Sequence, residues 1–159
     1  MSNGDDDRQW LTAAVELSRL APPTRTNYAV GAIVVDRGGL VLATGHTGEI
    51  DPRDHAEEGA LAKLRGAAAR DLSQATIYST LEPCTARRSR PGTCTSLILA
   101  AGIRRVVIAL REPVLFADCD GVEVLRGHGV EVVEIHDLGR QVREINSHVM
   151  DVRQVDFTG

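Results

Sequence analysis

The chain has 159 residues, of which 43% are hydrophobic and 25% charged, the composition of an ordinary globular protein. With 18 basic and 22 acidic side chains its formal net charge is −4, and only 3% of its residues are aromatic. Proteins that bind polynucleotides usually carry a basic face and aromatic rings for base stacking, so this composition argues against a polynucleotide partner. No apolar run approaches the ~20 residues that a membrane-spanning helix requires, which argues against a membrane partner.

The N-terminal part of the sequence predicts a short tail followed by a helix. Acidic and polar residues predict a flexible tail at residues 1–8, and residues 9–159 are predicted to form a single domain. Apolar side chains recur at helical spacing from Trp10 to Leu20, and Pro22 follows as a helix breaker. The acidic start differs from a signal peptide, and the chain has only three cysteines, so we expect a cytoplasmic protein.

Helices and strands alternate along the rest of the chain. The predicted strands are residues 29–35, 40–44, 75–79, 105–110 and 130–135. The predicted helices are residues 54–69, 94–101, 121–126 and 138–150, with Asp54 as the N-cap of the first and Gly102 closing the second. After an initial hairpin this order predicts an α/β fold, a three-layer α/β/α sandwich with a mixed five-stranded sheet.

A set of metal-ligating residues lies at the ends of these predicted elements. His55 starts a predicted helix, Cys84 follows a predicted strand, and Cys94 starts another helix. One imidazole and two thiolates are ligands that zinc prefers, and they leave its fourth position open for water. Glu57 lies two residues beyond the histidine, where its carboxylate can serve as a general acid and base beside that water. His-x-Glu with a later Pro-Cys and a further cysteine is typical of zinc-dependent nucleobase deaminases, although nine residues separate Cys84 from Cys94 where the usual motif has two.

Simpler interpretations of these residues have to be weighed. The tripeptide His-x-Glu is common by chance, and most cysteines of cytosolic proteins are buried, inert thiols. A structural zinc site usually has four protein ligands and closely spaced cysteines, which this sequence lacks. The N-terminus of a helix favours thiolate over thiol, so the predicted position of Cys94 suits a ligand better than a core residue. The sequence therefore predicts a catalytic zinc site with one ion per chain.

With these residues placed, the chain resembles the cytidine-deaminase-like superfamily and, within it, the deaminase domain of the bifunctional riboflavin-biosynthesis deaminase/reductase. The matching stretches are Asn27 with residues 30–35, Gly45-His46, His55-Ala56-Glu57, Leu81-Glu82-Pro83-Cys84 through to Cys94, and Ala100-Ala101-Gly102-Ile103. A weaker similarity continues through residues 121–125 and 129–132 to Glu144-Ile145-Asn146. The resemblance covers most of the chain, and only its zinc motifs are specific to the superfamily.

The resemblance implies a cytidine-deaminase-like fold and a set of site residues. Zinc is expected on His55, Cys84 and Cys94, with Glu57 as the catalytic proton shuttle. It also implies that Asn27 and His46 line the substrate pocket; from the residues alone, the first is equally a turn residue and the second a loop histidine. Relatives of this fold commonly assemble, so we expect a homodimer or homotetramer.

Two departures from the riboflavin branch leave the substrate open. Tyr28 stands where that branch has a proline, and the loop between the two cysteines lacks its histidine. No counterpart of the reductase domain is expected in this chain. We expect a zinc-dependent hydrolytic deaminase that releases ammonia from an aminated pyrimidine, either a nucleotide or a riboflavin-pathway diaminopyrimidine ribosylamine phosphate. Cytidine, deoxycytidylate, cytosine or a specialised-metabolite base are alternative substrates, and a catalytically silent zinc-binding scaffold is an alternative of another class.

The loop between the cysteines is rich in arginine. Arg87, Arg88 and Arg90 lie within four residues of one another. A guanidinium group has the fork geometry that grips a phosphate, so we predict that Arg87 and Arg88 contact a substrate phosphate. A solvated basic loop without a ligand is the alternative.

Overall fold

A five-stranded mixed sheet forms the middle layer of the protein. The structure is a computed structural model that describes residues 3–22, 24, 27–65, 71–85, 92–111 and 120–149. The strands are β1 (Gly31–Val35), β2 (Val41–His46), β3 (Thr76–Leu81), β4 (Arg105–Leu110) and β5 (Glu131–Glu134). The helices are α1 (Asn3–Ser18), α2 (Ala56–Ala62), α3 (Cys94–Ala101), α4 (Gly121–Gly127) and α5 (Gly139–Ile145), the last preceded by a 3-10 helix at His136–Leu138.

The strand order is β2-β1-β3-β4-β5. β1 is antiparallel to both β2 and β3, whereas β3, β4 and β5 are parallel to one another. Because Gly31 pairs with His46 and Ala32 pairs with Ser79, the start of β1 and the ends of β2 and β3 share one edge of the sheet. We call this the carboxyl edge, and it is where ligand sites of α/β sheets usually form.

Two apolar layers cover the sheet. On one face α2, α3 and α4 enclose a core that includes Ala60, Ile98 and Val122. On the other face α1 and α5 pack against the sheet through residues such as Leu11 and Val142. The predicted three-layer fold with a mixed five-stranded sheet is thereby confirmed. None of the helices in the described part of the chain is both long and apolar enough to cross a bilayer.

The N-terminal helix starts earlier than the sequence predicted. α1 begins at Asn3, so most of the predicted tail at residues 1–8 is helical, with Asp5 and Asp6 in its first turn, where acidic side chains complement the helix dipole. Asp7 is only 3% exposed. Its carboxylate accepts hydrogen bonds from Tyr78 at 2.8 Å and from two nitrogens of Arg105 at 2.7 and 2.6 Å. This pairing anchors α1 to the sheet and explains why the tail prediction was wrong from residue 3 onwards.

Removal of the Asp7 carboxylate is expected to destabilise the protein. In Asp7→Ala the guanidinium of Arg105 and the hydroxyl of Tyr78 lose a buried partner, which costs about 3 kcal/mol of unfolding free energy. Urea denaturation followed by circular dichroism measures this change. Asp137→Ala is the matched control, because that carboxylate pairs with Arg8 at a surface where both side chains are more than half exposed. Similar midpoints for Asp7→Ala and Asp137→Ala would contradict the anchoring role.

The second helix is shorter than predicted, and its N-cap is one residue later. α2 ends at Ala62, after which the N–H groups of Leu64 and Arg65 donate to carbonyl oxygens three residues back instead of four. Residues 66–69 of the predicted helix lie outside the described residues. The N-cap is His55 rather than Asp54. The side chain of Asp54 instead accepts a hydrogen bond from the backbone of Asp51 at 3.0 Å and closes the preceding turn.

Candidate metal centre

Three predicted ligands meet at the carboxyl edge of the sheet. His55 Nδ1 lies 3.2 Å from Cys94 Sγ and 3.6 Å from Cys84 Sγ. The ligand atoms of these three residues all lie within 4.8 Å of one another, and within the described ranges they are the group of histidine, cysteine and acidic side chains that is arranged to hold a metal ion. Cys84 and Cys94, which lie 29 and 39 positions after His55 in the sequence, are therefore brought next to it by the fold.

The spacing of these atoms fits a shared zinc ion. Zinc binds nitrogen at about 2.0–2.1 Å and sulfur at about 2.3 Å, so a tetrahedral site places nitrogen and sulfur about 3.6 Å apart. The two observed separations, 3.6 and 3.2 Å, are close to that value. One imidazole and two sulfur atoms also match the soft donor set that zinc prefers over magnesium or calcium. The residues present thus fit zinc as a resident cofactor.

The histidine ligand is positioned by the start of α2. The carboxylate of Glu58 accepts a hydrogen bond from the His55 backbone N–H at 3.3 Å, which fixes the first turn. Gly45 of β2 faces this turn, and a Cβ at that position would overlap the carbonyl oxygen of Ala56. A glycine in β2 therefore lets the helix that carries His55 lie directly on the sheet.

The two cysteine ligands are held together by backbone hydrogen bonds. Cys84 follows β3, and its carbonyl accepts a hydrogen bond from the N–H of Thr95 at 3.1 Å. The N–H of Cys94 points at Cys84 Sγ, with 3.3 Å between nitrogen and sulfur. Thr93 caps α3 by accepting a hydrogen bond from the Ser96 N–H at 3.1 Å. The positive end of α3 is thus directed at the sulfur that would bind the metal.

The surroundings of Cys84 favour the thiolate form. A hydrogen bond with Cys94 is the main influence that lowers the pKa of the Cys84 thiol to about 4, and His55 acts in the same direction against the opposing effect of burial. Thiolate is the form that ligates zinc. The electrostatics of the site therefore agree with the ligand role of this residue.

Glu57 is a buried carboxyl group in the first turn of α2. Its side chain is 4% exposed and interacts with both His55 and Cys94. Burial raises the pKa of Glu57 to about 7, and the neighbouring His55 opposes this shift. An acidic group with a pKa near neutrality both accepts and releases protons readily. The arrangement therefore places a carboxyl group that can exchange protons near neutral pH beside the predicted metal ligands.

The other predicted site residues are placed less directly. His46 ends β2 at the carboxyl edge, with its Nδ1 3.1 Å from the Thr47 carbonyl oxygen. Asn27 is exposed and lies just before β1, whose start lies at the same edge, and its backbone N–H donates to Thr24 Oγ1 at 2.9 Å. Both stay predicted substrate contacts. Arg87 and Arg88 lie outside the described residues.

The sequence predicted no role for Glu82 and Gly121, which hold in place the segment between β3 and Cys84. Glu82 is buried, and its carboxylate accepts a hydrogen bond from the backbone N–H of Val122 at 2.9 Å. A Cβ at Gly121 would overlap the carbonyl oxygen of Pro83, so the start of α4 packs directly on the loop before Cys84. The available signal was an acidic residue at the end of an apolar strand, since such a residue needs a buried partner.

Comparisons with known proteins agree with this geometry. Residues 5–110 match the model of the cytidine and deoxycytidylate deaminase zinc-binding region. A diaminohydroxyphosphoribosylamino-pyrimidine deaminase of Schizosaccharomyces pombe is 35% identical over 127 residues, which are 79% of this chain and 31% of the relative. A protein of the same name from Buchnera aphidicola is 33% identical over 126 residues, 79% of this chain and 81% of the relative. This chain thus spans about a third of the first of these relatives and most of the second.

A solved structure with the same fold comes from Thermotoga maritima. It is a diaminohydroxyphosphoribosylaminopyrimidine deaminase/5-amino-6-(5-phosphoribosylamino)uracil reductase. The two structures superpose with a TM-score of 0.82 at 32% sequence identity, covering 94% of this chain and 42% of that one. The shared region therefore includes nearly all of the present chain.

Proposed function

This chain belongs to the cytidine and deoxycytidylate deaminase zinc-binding family, and we propose on that premise that it hydrolyses an exocyclic C–N bond of an aminated pyrimidine and releases ammonia. The observation that carries the proposal is the convergence of His55, Cys84 and Cys94 beside the buried carboxyl group of Glu57. A scaffold that holds zinc only for stability has no use for this carboxyl group. We therefore favour an enzyme over a silent zinc-binding module.

The chain's own residues account for the proton movements of such a reaction. His55, Cys84 and Cys94 would hold the ion, which when bound supplies a Lewis acid that makes coordinated water acidic near neutral pH. The Glu57 carboxylate takes a proton from the attacking water and delivers it to the pyrimidine ring nitrogen. The same carboxylate then takes the second proton from the hydroxyl group that has added to the ring carbon and delivers it to the amine, so that the C–N bond breaks, a ring carbonyl forms and ammonia leaves. Burial keeps bulk water away from these transfers.

We propose diaminohydroxyphosphoribosylaminopyrimidine as the substrate. The support is the name shared by the Schizosaccharomyces and Buchnera relatives, the second of which this chain covers over most of its length. Deoxycytidylate is the second candidate, because the family description includes it. Tyr28 and the loop between the two cysteines differ from the riboflavin branch, which is why deoxycytidylate is tested as an alternative substrate.

An ammonia-release assay with the zinc-loaded protein decides between the candidates. The phosphoribosylated diaminopyrimidine, deoxycytidylate and cytidine are compared by kcat/KM under the same conditions. We expect the first substrate to exceed the other two by at least ~100-fold, since a site that pairs polar groups of its substrate discriminates strongly against analogues that lack them. A higher kcat/KM for deoxycytidylate would contradict the substrate proposal. If none of the three compounds released ammonia, the deaminase proposal itself would be contradicted.

The proposed substrate carries a phosphate, for which we propose Arg88 as a contact. The supporting observation is its position four residues after Cys84 and six before Cys94, which keeps the arginine close to the metal ligands along the chain. We expect Arg88→Ala to raise KM for the phosphorylated substrate by ~10- to 100-fold and to leave KM for its dephosphorylated form nearly unchanged. Arg37→Ala, in the exposed hairpin turn, is the matched control. Equal effects of Arg88→Ala on both substrates would contradict a phosphate contact and favour a solvated basic loop without a ligand.

We also propose that the protein works as a homodimer or homotetramer in the cytoplasm. Assembly is common among relatives of this fold, and a chain with only three cysteines among 159 residues suits a reducing compartment. Sedimentation equilibrium at micromolar concentration is expected to give two or four times the 17.1 kDa chain mass. A monomer mass would contradict the assembly proposal and leave the deaminase proposal unaffected.

A further inference from the structure

Buried polar side chains bond the backbone that leads into β1. The sequence predicted a strand from residue 29, but β1 begins at Gly31. The two residues before it, Ala29 and Val30, are buried. The Val30 N–H donates to Thr47 Oγ1 at 2.9 Å, and the Gly31 N–H donates to Thr80 Oγ1 at 3.2 Å. These side chains therefore supplement the backbone pairing with β2 where β1 starts, where the Thr47 N–H also donates to the Val30 carbonyl oxygen at 3.0 Å.

The third of these side chains, Asn146, pairs with both backbone groups of one residue. Its Oδ1 accepts from the Ala29 N–H at 2.6 Å, and its Nδ2 donates to the Ala29 carbonyl oxygen at 3.1 Å. Nδ2 also donates to the Val142 carbonyl oxygen at 2.9 Å, near the end of α5. The orientation of the amide is fixed by these partners, since the oxygen must face the N–H and the nitrogen the two carbonyls. Asn146 is fully buried, so no water replaces a lost bond.

These contacts connect Asn146 with the two predicted substrate contacts, Asn27 and His46. Ala29 lies two residues after Asn27, Thr47 directly follows His46, and Thr80 lies near the end of β3, four residues before Cys84. The backbone of residues 29–31, directly after Asn27 and Tyr28, is thus held by three side chains at the carboxyl edge. Of the three side chains, Asn146 comes from farthest away in sequence, 117 positions from Ala29. It directly follows α5, which packs on the opposite face of the sheet from α2 and α3.

We propose that Asn146 is a positioning residue of the enzyme: it fixes the backbone of Ala29 and thereby sets where Asn27 meets the substrate. The inference deepens the proposed function and rests on it. An unpaired buried N–H and carbonyl at Ala29 would force that segment to rearrange toward water. The zinc ligands and Glu57 lie on other segments, so they keep their places when Asn146 is changed.

A double-mutant cycle with Asn27→Ala and Asn146→Ala tests the inference through KM. With diaminohydroxyphosphoribosylaminopyrimidine we expect each single variant to raise KM by about 10-fold, and the double variant to raise it no further than either single one. The kcat is expected to stay within about 3-fold of the wild type and zinc content to stay unchanged. Unchanged KM in Asn146→Ala, or multiplication of the two single effects in the double variant, would overturn the positioning role.

Hydrogen exchange provides a measurement that needs no activity. In Asn146→Ala the amides of residues 27–31 are expected to exchange at least about 10-fold faster, while those of α3 keep their protection. If this variant does not fold, Asn146→Asp is the second variant: it keeps an acceptor for the Ala29 N–H but replaces the donor with an oxygen that faces the Ala29 and Val142 carbonyl oxygens. Leu138→Ala, a buried truncation in the same apolar layer, controls for general loss of stability. Unchanged exchange at residues 27–31 overturns the inference even in an active enzyme, whereas faster exchange supports it even if the substrate proposal fails.

Discussion

Replacement of Cys84 or Cys94 by serine is expected to release zinc and to lower the stability of the protein. Serine cannot supply the thiolate that the site requires, and the remaining two ligands hold zinc far more weakly. Bound zinc should therefore fall from about one ion per chain to near none. Stability should fall with it, because a ligand set that is assembled only in the folded state couples metal binding to folding. With free zinc at ~1,000 times its dissociation constant, this coupling amounts to about 4 kcal/mol of unfolding free energy.

Elemental analysis and thermal unfolding, each with and without a chelator, measure the two effects. The chelator should lower the melting temperature of the wild type and leave that of the serine variants unchanged. Cys119→Ser is the matched control, because this third cysteine is outside the proposed ligand set, and it should keep both its zinc and its response to chelation. Full zinc occupancy in both Cys84→Ser and Cys94→Ser would exclude the site.

Much of the fold followed from local patterns in the sequence. The strand at residues 105–110 was predicted with the bounds that the structure gives, because a continuous apolar run between turn residues has few alternatives. α3 begins at Cys94 and ends before Gly102, whose φ of 79° lies in the left-handed region that favours glycine. The metal ligands were predicted for a different reason, since only a few residue types bind zinc and their spacing restricts the choices.

The features that were missed depend on partners far away in sequence. Nothing near Asp7 indicates that it pairs with Arg105, 98 positions later, so an acidic start resembled a tail. Likewise, apolar residues 29 and 30 looked like the start of a strand, although Asn146 and Thr47 bond their backbone. Local propensity describes the free energy of a segment by itself, whereas these residues are stabilised by tertiary contacts.

Glu57→Gln is expected to abolish most of the turnover and to leave the metal in place. Glutamine has nearly the size of glutamate but carries no proton that it can exchange, so water activation and amine protonation both lose their catalyst. General acid–base groups usually contribute ~10²- to 10⁴-fold in rate, and we expect kcat to fall by that range, equivalent to about 3–5 kcal/mol of activation free energy. Ammonia release under saturating substrate measures kcat, and elemental analysis measures zinc in the same preparation.

The neighbouring Glu58→Gln is the control that separates catalysis from structure. Glu58 lies in the same turn of α2 and uses its carboxylate oxygen to accept from the His55 N–H, a role that a glutamine oxygen keeps. This variant should therefore turn over substrate within a few-fold of the wild type. If Glu57→Gln lost zinc together with activity, the buried carboxyl group would support the site rather than move protons. If it kept both zinc and near wild-type kcat, the proton transfers would have to be assigned to another group, because no inert amide can perform them.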